Sequence, residues 1–584
     1  MDFDDILEIV GDFGPYQITL LTLVCLTATP QAMNALSGVF ILGDLNHWCS
    51  VQEWSDDVNN CYDLLSISKD DYLECIHRYR ASSIPSSIQD GDIVYSECDK
   101  YDAVYPNDWS QGYYAGNYTT ATTACDEGWV YDQSQYVASV VSDFELVCEN
   151  KFLADTSQSI YYVGYLVGSI LFGSIADWIG RYYTFFISCG LHIVFTFLTA
   201  FTRNYWMLTL LRFLTGTVNI SMYIMAFILG TELVGPSKRV FAGILVCLTY
   251  VVGYLLLAVA AFFIRDWRYL QIFLACVLLP CLLLIPVLPE SARWLISKKK
   301  FKDAIKIVHK IAKKNKTSDK VPPNLEDEMT KEQEASSNAK MVSAIDIFRT
   351  PGLRLHALNM MFNWTINTLV YVGLTFNTAD LGGNDYVSFF LSGLVEIPAY
   401  LFCIPLIGSF LGRKWSTSML EIIGGVACIC TILIPTGVWK TTVAMIGKFC
   451  ISASFAIIYI YAAEIFPTVA RSAGIGLCST SGRIGSILGP LILALGEVIE
   501  FLPLLIFGLS AIVGGLLVIF LPETRGAKLP ETLADCSSGF KRGKEEDMKL
   551  STEPTDQQPS YSESGTQTVN SLEGYRNEAF SENC

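Results

Sequence analysis

Apolar blocks of 18 or more residues recur along this chain, and they constrain its fold more than any other feature. Each block is long enough to cross a hydrocarbon layer about 30 Å thick, and lipid offers no partner to backbone N–H and C=O groups, so each crossing segment must be helical. Only 17% of the 584 residues are charged, against about 25% in an ordinary soluble domain. The sequence therefore predicts an all-α membrane protein. Its twelve transmembrane helices are expected at residues 17–42, 158–178, 183–201, 206–230, 240–264, 268–288, 354–378, 386–411, 416–436, 441–463, 473–496 and 500–521.

Lys and Arg residues in the short loops predict the orientation, because such residues are enriched on the cytoplasmic side. The opening "MDFDDILEIVGDFG" is acidic and lacks the basic start of a signal peptide. We expect a multi-pass plasma-membrane protein with both termini in the cytoplasm. The lysine-rich link between spans six and seven is interpreted as a solvated linker, with a lipid-headgroup site as the alternative. The inner basic set is Arg181, Lys238, Arg239, Arg413, Lys414, Arg471 and eight lysines between positions 298 and 314.

The loop after the first span, residues 43–157, carries 21 acidic and 5 basic residues, which accounts for nearly all of the net charge of −17. An even cysteine count in an extracellular segment favours disulfides, although six cysteines allow fifteen pairings. With the sequon that starts at Asn117, this predicts a folded, glycosylated and disulfide-bonded cap. Its acidity either concentrates cations at an entrance or only keeps the cap soluble. The six cysteines are Cys49, Cys61, Cys75, Cys98, Cys125 and Cys148.

An internal repeat of about 232 residues divides the chain into two halves. Gly180-Arg181 returns 232 positions later as Gly412-Arg413, and "LPES" at 288–291 returns as "LPET" at 521–524. Parallel repeats of this kind build carriers with a midplane site between halves that rock for alternating access. The predicted domains are a cytoplasmic N-terminus (1–16), a first half (17–288) that includes the cap (43–157), a cytoplasmic linker (289–353), a second half (354–521) and a disordered cytoplasmic tail (522–584).

Charged residues repeat at the inner helix ends of both halves. Glu232 precedes Arg239 by seven positions, and Glu464 precedes Arg471 by seven, so each pair would share one face of any continuous helix that contained both residues. We interpret these charges as inter-helix ion pairs that hold an inner gate shut and break as the halves rock. Static capping of the helix ends is the alternative. The predicted gate set is Asp177, Arg181, Glu232, Arg239, Arg413, Glu464 and Arg471.

The same segments carry a family resemblance. "GSIADWIGR" resembles the second-to-third-helix signature of the major facilitator superfamily, although Trp178 replaces its usual basic residue and Ser409 replaces the acid of the second repeat. "RFLTG", "GTELVGPSKR", "PESARWL", "LSGLVEIPAY", "YAAEIFPTVARSAGIG" and "LPETRGAKLPET" resemble the organic-cation, carnitine and organic-anion transporter family. "AFILGTE", "FIRDWR" and "STSGRIGSILGP" are most similar to its carnitine and zwitterion branch.

The resemblance implies a central cavity between the halves, and it implies roles for particular residues. Tyr223 and Tyr250 match positions similar to substrate-site residues of the carnitine branch, although Met222 replaces the neighbouring Asn of that branch. Coupling to Na⁺ as a co-substrate is also implied, with Asn219 as a candidate oxygen ligand. No other cofactor, no metal and no nucleic-acid partner is expected.

Polar and aromatic residues on otherwise apolar spans are the remaining candidates for the substrate site. Aromatic faces attract ammonium groups, which makes such residues suitable for quaternary or protonated amines. Packing against a neighbouring helix is the alternative for any single ring. Trp364, Asn367 and Tyr371 follow an i, i+3, i+7 pattern and are expected to share a face. Tyr162 and Tyr459 complete the set.

Among the ionisable residues inside the predicted spans, Arg212, Glu396, Lys448 and Arg483 are singled out as candidates. Arg212 lies near an outer helix end and is expected to have a structural role. Glu396 and Lys448 either pair for packing or couple to an ion. Arg483 is always charged and offers a bidentate fork to a carboxylate, and in the resembling family this position separates simple-cation transporters from anion and carnitine transporters. A substrate carboxylate is its predicted partner, with Glu396 as the rival partner.

These observations favour a non-enzymatic transporter of small organic ions, with a carnitine-like zwitterion or an organic cation preferred. An organic anion exchanger of the same fold is one alternative. A non-transporting sensor or adhesion protein, binding through the cap, is another. The chain has no "GxxxxGK[ST]" motif to bind ATP, and its five histidines are scattered without metal-ligand spacing. Membrane lipids and the small organic ion are the expected partners.

Overall fold

The chain folds into a helical bundle with a small α/β cap. The computed structural model describes residues 3–65, 68–89, 92–106, 113–235, 238–322, 324–337, 344–378, 384–408, 411–435, 437–525 and 530. The description does not include the side chains of residues 3, 56, 57, 65, 88, 89, 92, 239, 240 and 332–337. Ser409 and the predicted tail beyond residue 530 lie outside the described residues. The helices of the first half and cap are α1 (Phe3–Val10), α2 (Pro15–Leu26), α3 (Ala28–Leu36), α4 (Gly38–Ile41), α5 (Ser55–Leu65), α6 (Lys69–Ser83), α7 (Val140–Asp143), α8 (Phe152–Ile179), α9 (Arg181–Thr199), α10 (Tyr205–Glu232), α11 (Arg239–Phe263) and α12 (Trp267–Leu278).

The remaining helices form the linker and the second half. The linker holds α13 (Ala292–Ser297), α14 (Phe301–Asn315), α15 (Leu325–Ser337) and α16 (Ala344–Arg349). The second half holds α17 (Pro351–Phe376), α18 (Asp385–Gly408), α19 (Gly412–Ile432), α20 (Val438–Ile465), α21 (Arg471–Leu493) and α22 (Leu502–Val518).

Helical segments occupy all twelve predicted positions, and ten of them are long and apolar enough to cross a membrane. α17 is not among the ten, and α22 is shorter, with 17 residues. The count of twelve spans therefore stays a prediction. The first span is divided into α2, α3 and α4, which together run from Pro15 to Ile41.

Two glycines mark corresponding turns in the two halves. Gly180 precedes α9 with a φ of +110°, and Gly412 begins α19 with a φ of +67°. Glycine adopts positive φ without the steric cost that a side chain adds. The repeat detected in the sequence thus corresponds to a repeated turn in the backbone.

Hydrophobic clusters show where the halves meet. One cluster joins them through Phe40 and Tyr162 of the first half and Val372 and Phe389 of the second. Two further clusters lie at the end of the bundle that holds the linker. One contains residues of the first half and the linker up to Met329, and the other contains residues from Ile347 onward. We call this end the linker end and the opposite one the cap end.

The cap forms short antiparallel strands and a core of its own. The strands β1 (His47–Cys49), β2 (Ser86–Gln89), β3 (Asp92–Tyr95), β4 (Asp99–Tyr101), β5 (Thr122–Ala124) and β6 (Trp129–Tyr131) pair as β1–β6, β2–β3 and β4–β5. The predicted disulfide-bonded cap is confirmed. Of the fifteen pairings, the structure has Cys49–Cys125, Cys61–Cys75 and Cys98–Cys148. Asn117 lies exposed in a turn at Ala115–Asn117, and its glycosylation stays a prediction.

The cap end of the bundle is held together by polar contacts between the halves. Tyr136 Oη of the cap donates to Asp385 at the start of α18 over 2.9 Å. Burial, and next the nearby Asp385 charge, raise the pKa of Tyr136 well above its ordinary value, so the phenol stays protonated as a donor. Lys151 Nζ lies 2.9 Å from Asp44 and 3.2 Å from Glu497, which follows α21. The two halves are therefore in contact at this end.

The lysine-rich link includes a folded amphipathic helix, α14. α14 buries Val308, Ile311 and Ala312 in the first half's cluster and leaves its lysines outside. Asn315 Oδ1 accepts from the N–H of Tyr16 at the start of α2, over 3.2 Å. An amphipathic helix of this kind packs one face and solvates the other.

Candidate functional site

Aromatic side chains gather where the two halves meet. In the first half, the rings of Tyr161, Tyr162 and Tyr165 lie 5.2 to 5.6 Å apart on α8. Tyr223 of α10 and Tyr250 of α11 contact each other edge to face at 5.9 Å, as centroids. Tyr162, Tyr223 and Tyr250 are predicted substrate residues. The structure therefore brings three members of the predicted set to one side of the junction.

The second half contributes a matching group. The rings of Trp364 and Tyr459 lie 4.3 Å apart, and Tyr371 stacks on Phe455 at 5.7 Å. Phe455 lies 5.3 Å from Tyr459 and so joins the two pairs. The indole Nε1–H of Trp364 is buried and has no hydrogen-bond partner in the described part of the chain. Trp364 is thus a donor available to a ligand at this aromatic group.

Asn367 does not join these rings, although its spacing predicts a shared face with Trp364 and Tyr371. Its side chain is fully buried and donates to Glu421 of α19 and, over 3.2 Å, to Ser454 of α20. The pattern was misleading because the polar partners of Asn367 lie inside the second half. The amide is therefore occupied within that half.

Arg483 lies at the junction, on α21. Its guanidinium carbon is 5.8 Å from the centroid of the Tyr165 ring, which belongs to the other half. The side chain is half-buried, its Nε has no hydrogen-bond partner, and no ion pair involves Arg483 among the residues that the structure describes. Glu396 is engaged elsewhere, so the rival carboxylate considered from the sequence is not its partner.

Glu396 and Lys448 form a buried ion pair, one of the two arrangements that the sequence left open. Lys448 Nζ is 3.2 Å from Glu396 Oε1, and the two side chains are 1% and 0% exposed. The ammonium also lies 3.5 Å from the centroid of the Tyr371 ring, and Tyr400 donates to Glu396 Oε2 over 3.3 Å. Lys448 therefore connects the ion pair to the aromatic group.

Arg212 and Asn219 lie on α10 and bond inside the first half. Arg212 is 4% exposed, donates to Gln158 and lies 5.4 Å from the Tyr161 ring, so it is directed inward instead of toward an outer interface. Asn219, the candidate ion ligand, donates to the Tyr161 hydroxyl over 2.9 Å and to the Gln31 carbonyl over 3.2 Å.

The predicted gate residues whose side chains are described, all but Arg239, lie at the linker end of each half. Arg413 pairs with Glu464 at 2.9 Å, and Arg181 pairs with Asp177 at 2.9 Å. Both pairs join residues of the same half. Arg471 donates to Thr468 over 3.3 Å. In this arrangement the described gate pairs do not connect one half to the other.

The segment between the acid and the base of each repeated pair is not one continuous helix. α10 ends at Glu232 and α11 begins at Arg239, and α20 ends at Ile465 before α21 begins at Arg471. Pro467 interrupts the second segment, because proline has no N–H and disfavours helix at the residue before it. Each acid and base of the repeat therefore lies on a different helix.

Sequence reasoning missed the acids that anchor the third helix of each half. Glu290 accepts from the N–H groups of Arg181 at 2.9 Å and Tyr182 at 3.1 Å, and Glu523 accepts from those of Arg413 and Lys414 at 3.1 and 3.2 Å. Burial raises the pKa of Glu290. Glu232 accepts from Ser291, beside Glu290. The sequence signal that could have identified these two acids is the repeat of "LPES" as "LPET", which places Glu290 and Glu523 at corresponding positions of the two halves.

Comparison with known proteins agrees with this arrangement. A family model described as "Sugar (and other) transporter" matches residues 107–534. An organic cation transporter protein of Drosophila melanogaster is 35% identical over 545 residues, which cover 92% of this chain and 94% of the relative. The organic cation/carnitine transporter 2 of Homo sapiens is 33% identical, with coverage of 91% and 93%. This chain belongs to that transporter family. It is a membrane transporter of the major facilitator superfamily and not an enzyme.

Solved structures support the fold. An inward open conformation of the xylose transporter XylE from E. coli superimposes with a TM-score of 0.55 at 17% identity, over 69% of this chain and 93% of that chain. A partially occluded inward open form has a TM-score of 0.53 at 14% identity and covers 88% of this chain. At these identities the likeness concerns the fold alone. The family resemblance stated from sequence motifs is confirmed.

Proposed function

We propose that this chain carries small organic ions across the plasma membrane by alternating access of its two halves. A carnitine-like zwitterion or an organic cation is the preferred substrate, and both termini face the cytoplasm. Relatives named as organic cation and organic cation/carnitine transporters support this proposal, since they match over nine-tenths of the chain. The substrate residues proposed here are those that gather at the junction between the halves.

The observation on which the proposal rests is that Arg483 has no carboxylate partner among the described residues. A guanidinium that lacks a carboxylate in the described part of the chain is available for a bidentate pair with a carboxylate of the substrate. The rings around it suit the opposite end of a zwitterion, because an ammonium group over an aromatic face gains roughly 2 kcal/mol or more when desolvated. Lys448 does not compete for the carboxylate, since Glu396 neutralises it.

Alternating access fits the distribution of contacts. The halves meet at the cap end through Tyr136, Lys151 and their partners, whereas the gate pairs at the linker end stay within one half. We propose that the gate residues exchange partners when the linker end closes. Rigid-body rocking of two packed halves is a familiar route for such an exchange.

Sodium symport is the coupling that we propose. Asn219 lies between the Gln31 carbonyl and the Tyr161 hydroxyl, so three oxygen-bearing groups are close together in the first half. Oxygen ligands suit a hard cation. Replacement of external sodium tests this coupling, and uptake that does not fall would instead favour facilitated diffusion or exchange.

An uptake panel tests the substrate. Cells that express the chain would be given one labelled cation, one zwitterion such as carnitine and one organic anion, each with and without sodium. Arg483→Asp is expected to abolish zwitterion uptake and to admit simple cations such as tetraethylammonium, while Arg483→Lys keeps the charge but not the fork and should retain part of the uptake. Surface labelling confirms that the variants reach the membrane. Unchanged carnitine uptake by Arg483→Asp would contradict the proposal.

An organic anion exchanger is the second candidate, because the unpaired guanidinium of Arg483 suits an anion equally well. Efflux of a preloaded anion, accelerated by an external anion, would identify exchange. A chain that moves none of the three ions while present at the surface would instead favour a non-transporting sensor.

A further inference from the structure

Glu421 is a buried acid that the sequence analysis did not identify and that the proposed substrate site does not use. It lies on α19, is fully buried and has no ion pair in the described ranges. Its Oε1 accepts from the Asn367 amide and, over 3.1 Å, from the Ser454 hydroxyl. Its Oε2 is buried without a hydrogen-bond partner. An ionised carboxylate in such a place is strongly disfavoured unless a positive charge neutralises it.

Two amide oxygens beside Glu421 also lack donors. Asn363 is fully buried and uses its Nδ2 to donate to the Asn359 carbonyl at 3.0 Å and to Asn359 Oδ1 at 2.7 Å. Asn367 uses its Nδ2 for Glu421 and Ser454. Because these bonds determine which way each amide faces, the opposite atoms are oxygens. Both Oδ1 atoms are buried and without a hydrogen-bond partner.

Two of these oxygens converge at Gly514 of α22. A Cβ built on Gly514 would lie 3.0 Å from Glu421 Oε2 and 3.2 Å from Asn363 Oδ1. Glycine thus leaves room at the point toward which both oxygens are directed. A stereochemically ordinary fold seldom leaves several neighbouring buried acceptors without donors.

A proton and a metal cation satisfy this arrangement to different extents. A proton on Glu421 supplies one donor, which meets one of the two amide oxygens and leaves the other unsatisfied. A cation can accept lone pairs from more than one of these oxygens at once, beginning with the two that converge at Gly514, and it also neutralises the carboxylate. Ligands that consist only of carboxylate and amide oxygens suit a hard cation. One negative charge matches one monovalent ion.

We propose that Glu421, Asn363 and Asn367 form a buried binding site for one Na⁺ ion in the second half of the bundle. The elements packed around Glu421 contribute the asparagines of α17, Ser454 of α20 and Gly514 of α22, and no charged side chain contacts Glu421 in the described part of these elements. Lys448, also on α20, is paired with Glu396. This site is separate from Asn219 in the first half and does not depend on which organic ion is carried.

Sodium-dependent thermal stability of the purified full-length protein tests the site in the absence of any organic substrate. NaCl replaces KCl at constant total salt, and unfolding is followed by scanning fluorimetry. A ligand that binds only the folded state stabilises it with each increase in concentration, so the wild-type Tm should rise by about 1 °C for each tenfold increase of sodium above the dissociation constant. Glu421→Gln should lose this dependence or reduce its slope.

Matched variants keep the test decisive. Glu421→Gln removes the buried charge at nearly constant volume, so it is expected to fold and to be at least as stable as the wild type in sodium-free buffer. Gly514→Ala keeps the carboxylate but puts a methyl group against both oxygens, and it should also reduce the sodium slope. Gly476→Ala is its control, because a Cβ there meets nothing within 4 Å.

The outcomes separate this inference from the proposed transport. If Glu421→Gln keeps the full wild-type slope, or if the wild type shows no sodium dependence and responds only to pH, the Na⁺ site is refuted and a proton neutralises Glu421. Neither result bears on which organic ion is carried, which the Arg483 variants test. A wild type without sodium dependence would also count against sodium symport, whereas a full slope in Glu421→Gln would refute only the site at Glu421. Asn219→Ala reports any contribution of the first half to the slope, and loss of the slope in that variant alone would also refute the site at Glu421.

Discussion

The buried pair of Glu396 and Lys448 permits a quantitative prediction about what stabilises the second half. Lys448→Met and Glu396→Gln each remove one charge and leave the other buried, whereas the double variant removes both. At 3.2 Å, two unit charges attract by about 5 kcal/mol with an effective dielectric constant of about 20. Removal of one partner from a buried pair usually costs about 3–5 kcal/mol, while replacement of both is often close to neutral.

These energies convert into measurable shifts of Tm. The unfolding entropy of about 2.1 cal/mol/K per residue, scaled to 584 residues, gives a shift of somewhat less than 1 °C per kcal/mol. Each single variant should therefore lose about 2–4 °C, and the double variant should lie within about 1 °C of the wild type. Scanning fluorimetry of the full-length protein in detergent measures all four members of this double-mutant cycle.

The cycle has a clear contrary result. If the losses of the two single variants add in the double variant, the charges do not stabilise each other and the pair is incidental. Uptake measured in parallel separates stability from transport. A double variant that is as stable as the wild type but inactive would show that the pair, through Lys448 over the Tyr371 ring, acts on substrate or ion binding.

Two further predictions concern the linker end of the bundle. Gly180→Ala should destabilise the protein by about 1–3 kcal/mol, because φ is +110° and the new Cβ would clash with the Glu290 carboxylate. Gly173→Ala, whose Cβ meets nothing within 4 Å, is the control in the same thermal assay and should be neutral or stabilising. Arg413→Glu should abolish uptake by breaking the pair with Glu464, and the exchange Arg413→Glu with Glu464→Arg should restore part of it. A folded exchange variant without recovered uptake would argue that the charges act separately.

The fold was predictable because apolar length and an internal repeat are properties of the chain itself. The cap, too, followed from six cysteines in one acidic loop, although their pairing did not. Interior contacts were harder to predict. Asn367 has the spacing of a cavity residue, yet its partners Glu421 and Ser454 belong to helices that periodicity alone cannot place beside it.

Glu421 shows a second limit of sequence reasoning. It follows "GRKWSTSML" near the start of a span, where an acid resembles an interfacial residue, and its complete burial results from the packing of α17, α20 and α22. The gate residues show the converse. Their repetition indicated the end of the bundle at which they lie. It did not show that Arg413 pairs with Glu464, or that Arg471 begins a new helix after the one that holds Glu464.

The contacts of the cap also bear on how fast such a carrier can cycle. Opening at the cap end must separate Tyr136 from Asp385 and Lys151 from Glu497. A net hydrogen bond of about 1 kcal/mol and an ion pair of about the same size amount to a population bias of roughly thirtyfold toward the arrangement described. The return of the empty carrier would have to overcome this bias, so these contacts would slow that half of the cycle. The turnover number would be set in part by a domain that lies outside the helical bundle, and the inward and outward fluxes would differ in their maximal rates.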